Sequence, residues 1–80
     1  MDQLAALNET VELAEQLGMP AWCGTSLGLE HLQSMRDRVD GSFSVEKLGR
    51  WLGWAQCAVV AASIGVTLDD MRELNLRHSG

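Results

Sequence analysis

The stretch from Val45 to Gly65 constrains this chain more than any other part of it. Leu48, Leu52, Ala55, Val59 and Ala62 recur at spacings of four, three, four and three, the a/d seam of a tightly packed helix pair. Beside that seam Gly49, Gly53, Cys57, Ala61 and Gly65 come at every fourth residue. Small side chains at this spacing leave a flat flank that another helix can approach closely. From Trp54 onward the segment is apolar nearly all round, so it must be covered on every side. A chain of 80 residues has little else to cover it with. The pattern predicts a homo-oligomer, most simply a symmetric dimer. Its expected contacts are Leu48, Gly49, Leu52, Gly53, Cys57, Val60 and Ala61. The alternative is a four-helix monomer with this segment at its centre.

Turn and cap residues divide the rest into three further helices. Asp2 is placed to cap a helix that stops at Gly18 and is sealed by Pro20. Leu4, Leu7, Val11 and Ala14 stripe one side of it, widened by Leu13 and Leu17, with Glu9, Glu12 and Glu15 opposite. Residues 18–25 read as a connector with Trp22 tucked under it. A second helix begins near Thr25 or Ser26 and ends at Asp40-Gly41, carrying Leu29, Leu32, Met35 and Val39 on one side. Ser44 caps the third helix, and Phe43 is placed to staple back on Leu48. Thr67 with Asp70 resembles a capping box for the fourth. The expectation is an all-α, single four-helix domain over residues 1–80, homo-oligomeric through its long third helix. The helices are expected near 2–17, 26–40, 45–64 and 67–78.

Charge narrows the function. Eleven acidic residues face six basic ones, a net charge of −5, and residues 1–35 hold no Lys or Arg at all. Phosphate neutralisation drives non-specific nucleic-acid binding, so no nucleic-acid partner is expected. The run from Trp51 to Val66 is 16 residues long and interrupted by Gln56 and Ser63, too short for a membrane span. The N-terminal residues lack the basic and apolar regions of a secretory signal, which points to a cytoplasmic location. Cys23 and Cys57 then stand as free thiols.

Candidate chemistry gathers on the third helix. Arg50, Trp51, Trp54 and Gln56 suit a flat phosphorylated ligand: the indoles stack on a base while the guanidinium holds a phosphate. The plainer reading makes Glu46–Arg50 a surface pair and the Trp residues core. Gln56 is equally placed to pair with its own copy across a two-fold axis. His31 and His78 have no partner at metal-ligand spacing, and no nucleophile, phosphate-loop or dinucleotide motif is present. No catalytic residue, metal or cofactor is expected.

The segments Arg50-Trp51-Leu52-Gly53-Trp54-Ala55-Gln56 and Thr67-Leu68-Asp69-Asp70-Met71-Arg72-Glu73-Leu74-Asn75 carry a further signal. An RWLGxxQ pattern, an apolar stretch and then TLDDM…N resembles the C-terminal half of many short bacteriophage and prophage proteins. The resemblance implies a protein made inside an infected bacterial host, often to blunt its defences. By analogy with small helical phage sponges, it implies sequestration of a nucleotide-derived immune signal without cleavage. A protein-interaction inhibitor, using the anionic face of Glu9, Glu12 and Glu15 on a host protein, is the alternative. A nucleotide-cleaving enzyme is the third.

Overall fold

Each helix starts where a side chain or a glycine can end an extended segment. The computed structural model describes residues 1–79 and holds four helices: α1 (Gln3–Gln16), α2 (Leu29–Arg38), α3 (Val45–Ala61) and α4 (Leu68–Arg77). The described residues contain no strand. Asp2 accepts from the Ala5 amide, and Ser44 from the Lys47 amide. Thr67 and Asp70 close the reciprocal capping box, each side chain accepting from the other's backbone N–H. These bonds occupy helix-end donors that would otherwise lack partners.

The second helix begins three residues later than the spacing suggested. Gly28, its cap, lies so close to the connector that a Cβ there would run into the Ala21 carbonyl. Only glycine permits that approach, and the Leu29 amide then donates to the Pro20 carbonyl at 2.9 Å. The connector is wound into turns, with Trp22 at φ 42°. Trp22 is not tucked beneath it but 46% exposed. The third helix ends at Ala61, three residues short of Ile64. Ser63 takes the left-handed conformation at φ 58° and turns the chain. That turn brings Val66 into the core and packs Ile64 against it.

The core forms mainly between α1 and α3, with α2 and α4 packed on α1. Gln3 lies beside Gly49 and Thr10 beside Gln56, so α1 and α3 run in the same direction. The buried face of α1 is Ala6, Leu7, Thr10, Val11 and Ala14. It is rotated from the leucine stripe, leaving Leu4 42% and Leu17 46% exposed. Thr10 can be buried because its hydroxyl donates to the Ala6 carbonyl at 2.7 Å and accepts from Gln56. Leu52, Ala55, Ala58 and Val59 answer from α3. The a/d seam of α3 is therefore filled within one chain. The radius of gyration, 11.7 Å, matches the ~12 Å expected of one folded chain of this length.

Ion pairs tie the ends together. Glu9 accepts from both Arg77 and His78, and the Asp2 amide donates to the His78 carbonyl. Hydrogen bonds from His78 and then Arg77 hold the Glu9 carboxyl below its ordinary range. Phe43 sets its ring edge-on to Trp51 with centroids 4.8 Å apart.

Candidate functional site

Helical spacing builds a groove between α2 and α3. His31, Met35 and Arg38 stand four and then three residues apart on one edge of α2, facing Trp51 and Trp54, three apart on α3. Ser26, at the end of the connector, closes one end. The groove encloses about 290 Å3 and no carboxylate lines it.

Its two indoles are held differently. Trp54 donates its Nε1–H to the Ser26 carbonyl at 3.0 Å and remains 47% exposed, so its polar edge is satisfied and its ring is open. Trp51 is half-buried: Phe43 meets it edge-on, and the Arg38 guanidinium lies 5.2 Å from its ring centroid. Lys47 is 5.7 Å from the same ring and 4.1 Å from Phe43. Of the pair, Trp54 is the one that can stack on a ligand.

The cations are sorted in the same way. Among the described residues, ion pairs within 4 Å take up Arg36 with Glu15, Arg72 with Asp69, and Arg77 with Glu9. Among the described residues Arg38, Lys47 and Arg50 have no carboxylate within 4 Å. An acidic protein thus leaves its unpaired cations at the end of α2 and the start of α3. Arg50 is exposed but lies outside the groove, and Glu46 does not bond it. The cation that lines the groove with the indoles is Arg38. It was readable from the spacing of His31, Met35 and Arg38 along one helix edge, a stripe that lies next to the apolar one.

Gln56 is placed elsewhere altogether. It is 8% exposed, donates to Asn75 Oδ1 at 2.7 Å and accepts from Asn75 Nδ2 at 3.1 Å. A further bond from its Nε2 reaches the Thr10 hydroxyl at 3.3 Å. Both ends of the amide have partners inside the chain, and Gln56 lines the groove between α3 and α4 and not the aromatic one. The residues expected at an oligomer contact divide. Leu52 is buried, Leu48 and Val60 pack against the core, and Gly49 faces Gln3. Gly53, Cys57 and Ala61 remain exposed. With Leu68, Met71 and Leu76 of α4, Gly53 and Cys57 line a second, apolar groove of about 400 Å3.

The chain was compared with protein-family models, curated proteins and solved structures. None of them matches it.

The anionic face of α1 is largely spoken for. Glu9 holds Arg77 and His78, and Glu15 holds Arg36 and Gln33, which leaves Glu12 as its free carboxylate. Hydrogen bonds from Arg36 and then Gln33 keep Glu15 below its ordinary range as well. Among the described residues, no three His, Cys, Asp or Glu converge as metal ligands, and no helix is long and apolar enough to cross a membrane.

Proposed function

We propose that this chain is a non-enzymatic binding protein that holds a flat, anionic, nucleotide-type molecule in the groove between α2 and α3. The observation that carries this reading is the open ring of Trp54 in the same groove as Arg38. The Arg38 guanidinium lies over Trp51 with no carboxylate within 4 Å among the described residues, in a protein whose other charges are mostly acidic or paired. Stacking and charge-assisted hydrogen bonds are the two contacts such a ligand needs. The groove is lined by Ser26, His31, Met35, Arg38, Trp51 and Trp54, with no carboxylate among them to repel an anionic ligand. Joined to the resemblance of the C-terminal half to phage proteins, the reading is counter-defence inside an infected bacterium.

The test is incubation with mononucleotides, cyclic di- and trinucleotides and cyclic ADP-ribose isomers, followed by heat release of the ligand. Intact ligand returned supports sequestration, and altered ligand overturns it in favour of catalysis. Arg38→Ala is expected to weaken binding by the value of a charged hydrogen bond, roughly 1.5–3 kcal/mol. Arg50→Ala, outside the groove, is expected to leave binding nearly unchanged. The reverse order of effects would move the site off the groove.

The oligomer is part of the proposal. Gly53, Cys57 and Ala61 form the flat exposed flank of α3, beside Leu68 and Leu76, which are 65% and 64% exposed. A Cβ on Gly53 meets nothing within 4 Å in the single chain. Gly53→Leu is therefore expected to keep the fold, gain up to ~1 kcal/mol of helix propensity and abolish self-association. Sedimentation of both proteins checks this: an 8.7 kDa particle for the unsubstituted chain at micromolar concentration removes the oligomer. The same exposed apolar groove favours the second reading, an inhibitor that docks a host protein on α3 and α4. Failure of every nucleotide to bind, with capture of a defined host protein that Gly53→Leu abolishes, would select it.

A further inference from the structure

We propose that Phe43 and Trp51 are positioning residues that act on the ligand through Arg38. Their stacked rings hold the guanidinium at the groove for the anionic group, while the base goes to Trp54. This rests on the nucleotide-type reading above and divides the work between its two indoles.

An exposed arginine at the end of a helix has many rotamers, and ordering it on a ligand subtracts from affinity. Arg38 is exposed and is the last residue of α2, yet it is held at two points. Its Nε donates to the Ser34 carbonyl at 3.4 Å, and its guanidinium carbon lies 5.2 Å from the Trp51 ring centroid. Neither contact uses a hydrogen of the terminal nitrogens. Among the described residues those nitrogens make no hydrogen bond and no ion pair within 4 Å. The planar fork is thus fixed in place with its outer donors open.

The platform under Arg38 is itself held. Phe43, immediately before the Ser44 cap of α3, meets the Trp51 ring at 4.8 Å with the two planes 85° apart. In that T-shaped geometry the positive edge of one ring is attracted to the negative face of the other. Phe43 is not among the residues that line the groove, and neither is Lys47, whose ammonium lies 4.1 Å from the Phe43 centroid. Phe43 therefore reaches the groove in two steps, from its own ring to Trp51 and from Trp51 to Arg38. One indole serves the cation, which leaves the other, 47% exposed, to serve the base. Leucine at 43 removes the ring contact, loosens the indole and lets the guanidinium wander.

Calorimetric titration of the full chain tests this, with AMP and cyclic di-AMP set against adenosine, and GMP and cyclic di-GMP against guanosine. At least one nucleotide is expected to bind about tenfold or more tighter than its nucleoside, through Arg38. Phe43→Leu is expected to weaken that nucleotide roughly three- to tenfold, the worth of one edge-on aromatic pair, and to leave the nucleoside unmoved. Phe43→Tyr, which keeps the ring edge, is expected to recover the affinity, and circular dichroism confirms that the variants fold. Phe43→Leu combined with Arg38→Ala is expected to lose no more than Arg38→Ala alone, because Phe43 then has nothing to position. Without any ligand, nuclear-spin relaxation of the Arg38 Nε–H is expected to show an ordered side chain that becomes mobile in Phe43→Leu. A guanidinium equally ordered in both, a nucleoside weakened as much as its nucleotide, or losses that add in the double variant overturns the inference and leaves the nucleotide reading standing. A nucleoside that binds as tightly as its nucleotide, or no binding by these nucleotides and the wider panel above, overturns the nucleotide reading and the inference with it.

Discussion

Leu7→Ala is expected to remove a large share of this protein's stability, roughly 2–5 kcal/mol. Leu7 is fully buried between α1 and the rest of the core, and truncation leaves a cavity among Val11, Leu52 and their neighbours in that core. Buried Leu→Ala changes cost about 2–5 kcal/mol. A domain of this size has roughly 4–12 kcal/mol in all, at ~0.05–0.15 kcal/mol per residue. The thermal midpoint should fall by about 10–30 °C, at ~4–8 °C for each kcal/mol in a small domain. Leu4→Ala is the matched control. The leucine spacing puts Leu4 on the buried stripe, but the fold leaves it 42% exposed, so its loss should be within about 1 kcal/mol. Equal losses at the two positions, measured by urea denaturation, would mean that α1 packs through the leucine stripe and not through Ala6 and Thr10.

That contrast shows where the sequence was legible. Caps are local, and Asp2, Ser44 and Thr67 with Asp70 all bond as their spacing foretold. The seam on α3 was legible as a seam, but its partner was not. A heptad pattern states that a helix is covered without stating by which chain, and here α1 covers it. Glu9, Glu12 and Glu15 looked like a free anionic face because their cations lie far along the chain, at Arg36 and Arg77. Trp51 and Trp54 share a groove as their spacing suggested, while Arg50 stands outside it for a related reason. Arg50 adjoins Trp51 in sequence, but neighbours on a helix point about 100° apart and do not meet. The guanidinium beside Trp51 arrives from α2, and only the α2–α3 contact makes it Arg38. Leu52 is buried within the single chain and Leu48 packs against its core, a role the seam pattern shares with a contact between copies.

The polar residues of segments 50–56 and 67–75 carry the last expectation. Gln56 ends the first segment and Asn75 the second, and they hydrogen-bond each other in both directions across α3 and α4. With the Thr67–Asp70 capping box, this makes much of the two segments a device for docking α4 on α3. Gln56→Leu leaves the Asn75 amide without its partner and takes a bond from Thr10, which is fully buried. An orphaned polar group costs about 1–3 kcal/mol, and Asn75, being half-buried, recovers some of this from water. Asn75→Leu strands the more deeply buried Gln56 and should cost the more of the two. Replacing both by Leu removes donors and acceptors together, so the double variant should be more stable than the sum of the single losses predicts, by about 1–3 kcal/mol of coupling. Groove binding should be unaffected in the folded fraction of all three, because neither amide lines the groove of His31, Arg38 and Trp54. If Gln56→Leu instead kept full stability but dissociated an oligomer, the amide would be pairing with its own copy. If it kept stability and lost ligand, it would be reading a base. A loss of stability alone, recovered in the double variant, assigns the pair to the fold and leaves recognition to the face of α3 that meets α2.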